Sequence, residues 1–252
     1  MADLNKLNFM GLTDKELDQP IYRIMKQEYV IRLFTKQENT LSQIHKWKDK
    51  FEGFQLALSG LLDGESSGSS FKDNFVCQCW TREYLSDAMW GIYANDCKQR
   101  FLRIRSTPRK LLAALVDAHP NTAQNTCFLG KVAYRKEEDL ETLMGKAGQT
   151  PISTESFAHS LLLKRHKFRH ESEVRLIYFG DAKDYENGLY HYAVDPYAMI
   201  TQIMADPNRD RGNRWTEDKK TIESMTGFKG EIKRSKAYDP PDYKPPILKS
   251  GG

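Results

Sequence analysis

The sequence lacks any apolar run near the roughly 18 residues that a membrane-spanning helix requires, so no membrane association is expected. Its opening stretch, MADLNKLNFMGLTDKELDQ, carries acids and no apolar core, unlike a secretory signal. A soluble, cytoplasmic protein of bacterial type is the expectation. Cysteine is sparse: Cys77, Cys79, Cys97 and Cys127. No C-x-x-C knuckle or histidine equivalent accompanies them, which argues against a structural zinc site and for reduced, buried thiols. Internal repeats are absent. Neither sign of charge is in large excess: 38 basic and 34 acidic residues leave a net charge of +4. That is too mild for the concentrated basic stripe of a dedicated nucleic-acid-binding domain.

Apolar residues make up 39% of the 252 positions, enough for a core and too many for a disordered chain. The length suits one large domain or two small ones. One stretch of low complexity, DGESSGSS (63 to 70), reads as a loop. Strands are expected at PIYRIM (20 to 25), around Leu41, and at NFVCQCWT (74 to 81), where Cys77 and Cys79 share a face. Further strands are expected at RFLRIRS (100 to 106), TCFLGKVAYR (126 to 135), EVRLIYFG (173 to 180), GLYHYAVD (188 to 195), 198 to 208 and EIKRSKAY (231 to 238). The 188 to 195 strand is expected to form a hairpin with 173 to 180.

Helices are expected at 28 to 37, with Val30, Leu33 and Phe34 on one face, and at 86 to 96, with Met89, Trp90 and Tyr93 inward. Others should cover 107 to 119, opened by Thr107 and Pro108, then 153 to 168, and 214 to 227, stopped by Gly227. Strands and helices mix without strict alternation. The expected fold class is therefore α+β, a mainly antiparallel sheet with flanking helices. Residues 1–19 read as a lead-in, 20–240 as one catalytic-type domain and 241–252 as an extended tail.

Two runs are locally basic, CKQRFLRIRSTPRK (97 to 110) and KRHKFR (164 to 169). They suit an anionic partner or ordinary solvated charge. At HKFRHESEVRLIYF (166 to 179) the chain turns from charged to apolar. A period of two would put Glu171, Glu173 and Arg175 on one face of the entering strand. Such a cluster is either a surface ion-pair group or a site that perturbs pKa values. Arg23, beside an apolar strand, needs a partner if it is buried. Trp90 and Tyr93 at i, i+3 suit core packing as well as contact with a ring. His170 has no second ligand at metal spacing.

The pieces IYRIM, HKWKDKFEGF, CQCWT, SDAMWGIYA, SLLLKRHKFRHESEVRLIY and RSKAY, in that order, resemble the bacterial family catalogued as domain of unknown function 2971. The resemblance covers roughly residues 20 to 240. Lys50 stands where many relatives carry Pro in the W-D-D-P-F-E turn. The family name carries no activity.

The order of pieces is also similar to that of ADP-ribosyltransferase-like proteins, an analogy at the level of fold. It implies NAD as substrate, with Glu173 catalytic and Glu171 its helper. A fixed carboxylate would stabilise the oxocarbenium-like transition state and hold the ribose 2′-hydroxyl. The second would orient or deprotonate the acceptor.

Arg23 would bind the phosphates or ribose. Tyr22, Trp80, Trp90 and Tyr93 would stack on the rings, and Thr81 and Ser86 would hydrogen-bond the ribose. The implied acceptor is a protein or a nucleic acid. The implied setting is bacterial anti-phage or toxin–antitoxin defence, with an antitoxin or defence-system partner. Two other readings stay open. One is a non-catalytic nucleic-acid or nucleotide-binding module built on the basic runs. The other is a metal-dependent nuclease using Asp49, Glu52, Glu171 and Glu173.

Overall fold

A computed structural model describes residues 8–47, 71–84, 87–94, 99–146, 153–207 and 214–235. In chain order the elements begin with β1 (Asn8–Met10), α1 (Asp14–Leu17), β2 (Ile21–Lys26), α2 (Gln27–Lys36) and β3 (Glu38–Gln43). Next come β4 (Phe75–Thr81), α3 (Asp87–Tyr93), β5 (Phe101–Ser106), α4 (Pro108–Ala118), α5 (Ala123–Thr126), β6 (Cys127–Lys131) and β7 (Ala133–Arg135). The chain continues through α6 (Glu137–Lys146), α7 (Thr154–Ser160), β8 (Leu163–Arg165), a 3-10 turn (His166–Glu171), β9 (Glu173–Phe179) and β10 (Leu189–Ala193). It closes with α8 (Pro196–Met199), β11 (Gln202–Ala205), α9 (Arg214–Thr226) and β12 (Glu231–Arg234). Among the described residues no helix is long and apolar enough to cross a membrane.

The expected α+β class holds. A ten-stranded sheet runs β1-β6-β9-β4-β2-β5-β11-β12, with β3 and β10 as a branch. Most of its pairings are antiparallel, and the two outermost, β1 with β6 and β11 with β12, are parallel. Helix ends follow their local chemistry. The Thr107 hydroxyl accepts from the Lys110 N–H at 3.3 Å, with Pro108 at the first turn of α4. Gly227 ends α9 with φ +65°.

Both sheet faces are covered. One carries Val30, Leu33 and Phe34 of α2 and Leu111, Leu112 and Leu115 of α4 against Trp80, Val174 and Leu176. The other carries Phe157, Ala158, Leu161 and Leu162 against Phe75, Cys77 and Ile177. On that same face Trp90 packs on Phe101 and Met204.

The feature that positions the site is a fork. The edge of β4 facing away from β9 is shared by two strands. β3 pairs with its beginning, at Cys77 and Val76, and β2 with its end, at Thr81. Between them, Gln78 to Trp80 have no ladder partner on that edge among the described residues, and β2 diverges from β4.

Four expectations change. The helix expected over 153 to 168 stops at Ser160. Leu163–Arg165 pairs in parallel with Ala133–Arg135 instead, and the Leu161 carbonyl accepts from Arg175 Nη1 at 2.5 Å. The expected hairpin between 173 to 180 and 188 to 195 does not form. Both edges of β9 are occupied, by β4 and β6, so β10 pairs with β3. The strand expected over 126 to 135 breaks at Val132. The 198 to 208 segment starts as the end of a helical turn before its strand.

Candidate active site

A cavity of about 130 Å³ opens at the fork. Tyr22, Arg23 and Ile24 line it from β2; Cys79, Trp80 and Thr81 line it from β4. Met89 and Tyr93 reach it from α3, and Glu171 and Glu173 close it from the start of β9. The register explains part of the grouping, since Arg23 and Trp80 alternate to the other face and border the cavity where β2 and β4 part. Tyr22 pairs with Thr81, and Thr81 pairs with Glu173 on its other side, so the three share a face across adjacent strands. Volume and lining suit one six-membered ring, since a cavity of roughly 150 Å³ holds benzene.

Glu171 arrives by a different route from the one the period of two predicted. It ends the 3-10 turn rather than lying on the strand. Ser172 then takes a left-handed conformation, φ 45° and ψ 52°, and β9 starts at Glu173. That kink brings both carboxylates to the same cavity. The Thr81 hydroxyl fastens the turn by donating to the Glu171 carbonyl at 2.6 Å. Arg82 N–H donates to the Ser172 carbonyl at 3.0 Å.

Both carboxylates are buried and paired. Lys164 Nζ lies 2.7 Å from Glu171 Oε2 and 3.2 Å from Glu173 Oε2. Arg175 Nη2 lies 2.7 Å from that same Glu173 oxygen, and its guanidinium stacks on Trp47 at 4.5 Å. The Glu173 N–H donates to the Tyr134 hydroxyl at 2.8 Å. Burial pushes the Glu173 carboxyl up, but Arg175, Lys164 and the Cys79 thiol outweigh it and hold it below its ordinary value. Burial, with Glu171, Cys79 and Glu173 nearby, raises the Tyr93 hydroxyl, so it stays protonated as a donor. Cys79, half-buried and beside Glu173, is raised by desolvation first and stays a thiol.

Arg23 is surrounded by protein yet keeps a partly accessible surface where it lines the cavity. Burial lowers its pKa, and only Cys79, Tyr93 and Tyr192 act on it as counter-groups. No described residue reaches it with a hydrogen bond or ion pair. Among the described residues, its surroundings supply no carboxylate.

The structure thus brings together Tyr22, Arg23, Trp80, Thr81, Tyr93, Glu171 and Glu173. It does not bring Trp90. The indole is buried on the far side of α3 against Phe101 and Met204, so its expected contact with a bound ring gives way to core packing. Ser86, expected to hold the ribose, lies outside the described residues, as do Asp49 and Glu52. Trp80 contributes wall rather than a polar handle, because its Nε1–H donates inside the sheet to Gln78 Oε1 at 2.7 Å.

Sequence reasoning read Lys164 only as part of a basic run, and it passed over Tyr134 as a partner of Glu173. A lysine after three leucines signals a buried charge in need of a carboxylate.

The 97 to 110 run is largely engaged within the fold. Arg103 lies between the Tyr22 and Tyr84 rings, Arg100 pairs with Asp218, and Arg109 pairs with Asp18. One oxygen of each carboxylate, Oε2 of Glu171 and of Glu173, is shared with Lys164, and that of Glu173 also with Arg175.

No protein-family model and no curated protein matches the sequence, so the likeness to domain of unknown function 2971 rests on the quoted motifs. Among solved structures the chain is similar to Thermus sp. 2.9 DarT in complex with carba-NAD+. The match has 13% identity and a TM-score of 0.38, over 86% of this chain and 96% of that one. The ADP-ribosylated ssDNA complex of the same protein matches at 12% identity and 0.38, over 90% and 98%. Its NAD+ complex matches at 12% and 0.37, over 86% and 96%. Superposition this loose transfers no residue roles, so the chemistry has to come from the side chains at the fork.

Proposed function

We propose that this protein is an ADP-ribosyltransferase that uses NAD as its substrate, acting as a toxic effector in bacterial anti-phage or toxin–antitoxin defence. The observation that carries the reading is the convergence at one fork of Arg23, a guanidinium with no carboxylate partner among the described residues, and two paired carboxylates, Glu171 and Glu173. A cavity of this size takes the nicotinamide end of the dinucleotide. Arg23 offers its planar fork to the phosphates or ribose.

Glu173, ionised at neutral pH, is a weak base and a good electrostatic partner. It faces the ribose as positive charge develops at C1′ and accepts from the 2′-hydroxyl. The C1′–N1 bond breaks, and its electron pair leaves with nicotinamide and neutralises the pyridinium. A protein or nucleic-acid nucleophile then bonds to C1′, and Glu171 takes its proton. Tyr93 and Thr81 supply hydroxyls at the wall, and Tyr22 and Trp80 supply aromatic surface.

The test is nicotinamide release, and transfer of labelled ADP-ribose to protein, DNA and RNA, by wild type and Glu173→Gln. The swap keeps shape and removes charge, so turnover should fall by on the order of 100-fold or more. Equal rates would end this reading. An antitoxin or defence-system partner should silence the same activity when added.

A further inference from the structure

We propose that Lys164 is a positioning residue of this site, keeping Glu171 and Glu173 ionised side by side and holding them together against the cavity wall. Its consequence for catalysis rests on the transferase reading, but its electrostatics do not.

Lys164, Glu171, Glu173 and Arg175 form a buried group whose side chains are 7%, 10%, 5% and 1% exposed. Their charges cancel. The two cations are not equivalent. Arg175 serves Glu173 and spends Nη1 on the Leu161 carbonyl. Lys164 bridges: its one ammonium contacts both carboxylates, at 2.7 Å and 3.2 Å.

Arg23 lines the same cavity from β2 but makes no ion pair with either carboxylate among the described residues, and the other described groups in contact with the pair, Arg175 aside, carry no positive charge. Cys79 from β4 and the Tyr134 hydroxyl from β7 face Glu173, and Tyr93 from α3 faces Glu171. On the turn itself, His166, Lys167, Arg169 and His170 are solvent-exposed. Two carboxylates this close in a poorly hydrated site cannot both stay charged without a cation between them. Lys164 is that cation. Its own place is fixed by β8, where it lies opposite Tyr134, and by the Phe168 ring at 5.0 Å.

Removing the ammonium should make the pair share a proton, as a coupled carboxylate dyad does. The experiment compares wild type, Lys164→Met, Lys164→Arg and the double variant Lys164→Met/Glu171→Gln. Carbon-13 NMR of labelled glutamate carboxyls is read first, without any substrate. In Lys164→Met one buried carboxyl should titrate at least about one pH unit higher than in wild type. Lys164→Arg should behave as wild type, and the double variant should lose the new titration.

NAD turnover is read second. Lys164→Met should lose kcat on the acid side at correspondingly higher pH, with KM within about twofold. A merely structural lysine would lower activity equally at every pH. If Lys164→Met does not fold, the double variant should fold, because it leaves no carboxylate without a cation. An unchanged carboxyl titration in Lys164→Met overturns the proposal, and so does a double variant that fails to fold where the single one fails. The expected titrations in a protein that releases no nicotinamide would instead overturn the transferase reading and leave the role of Lys164 standing.

Discussion

Arg23 has to keep its charge in a half-buried position, and no carboxylate of the described residues compensates it. Burying an ion this way costs stability. Under the proposed function the phosphates or ribose of NAD would offset that cost. Arg23→Met should therefore hold or raise the melting temperature, because a neutral side chain of similar length relieves the desolvation. It should raise KM for NAD by roughly tenfold or more, which corresponds to about 1.4 kcal/mol of lost binding. Arg23→Lys should recover only part of it, since a point charge does not replace a planar fork. Calorimetry and steady-state turnover check both halves. A drop in melting temperature with unchanged KM would mark Arg23 as structural. At this scale the sequence identified Arg23 and the two glutamates by chemical type. It misassigned Trp90, whose i, i+3 relation to Tyr93 fits either inward face of a short helix. Packing against Phe101 and Met204 decided between them.

Among elements, the segment from α7 to β8 does most to arrange the cavity. Leu162 lies directly over Gly130, where an added Cβ would clash with Leu162 Cδ1. Gly130 sits opposite Arg175 in the β6–β9 ladder. Its missing side chain lets the chain approach the sheet closely enough for Lys164 to reach both carboxylates. Gly130→Ala should cost about 1–3 kcal/mol through overpacking, measured by urea unfolding. It should also weaken turnover more than a matched surface substitution does, because it displaces Lys164 along with Leu162. Unchanged stability would show that Leu162 gives way freely. The sequence predicted one amphipathic helix here. Local periodicity favoured that reading, and the competing terms are all long-range: the parallel pairing to Ala133–Arg135, the Arg175 bond to the Leu161 carbonyl and the burial of Lys164.

Across the whole molecule, acid stability follows from groups held away from their ordinary pKa. Glu173 is lowered in the fold, so its contribution is present in full above its unfolded value, near 4.3, and is lost as pH falls through the lower folded value. Glu16 is lowered to about 2 by the Thr13 backbone N–H first, then by Lys131 and the Thr13 hydroxyl, and it acts with the same sign. With its side chain 24% exposed, it is partly screened by solvent and counts for less. Burial lowers His119, which stacks on Tyr178 at 4.3 Å. A depressed histidine also favours the folded state above its unfolded value, near 6.5, and disfavours it below. Unfolding free energy should therefore decline from about pH 6.5 downwards and more steeply below pH 5. In Glu173→Gln the lower limb should be shallower. Urea titrations from pH 3 to 8 check this, and equal slopes in both proteins would remove Glu173 from the account.

The sequence by itself determined the fold class, most helices and strands, and the residue types of the cavity. These depend on periodicity, caps and the change from charged to apolar residues at Glu173, all of which act over a few residues. Tertiary structure alone decided that β2 and β3 share one edge of β4, so that a cavity opens between Arg23 and Glu173. It also decided that Lys164, rather than solvent, neutralises the carboxylates. Both outcomes depend on which strands compete for an edge and which charges are left without water, and those are properties of the assembled sheet rather than of any segment.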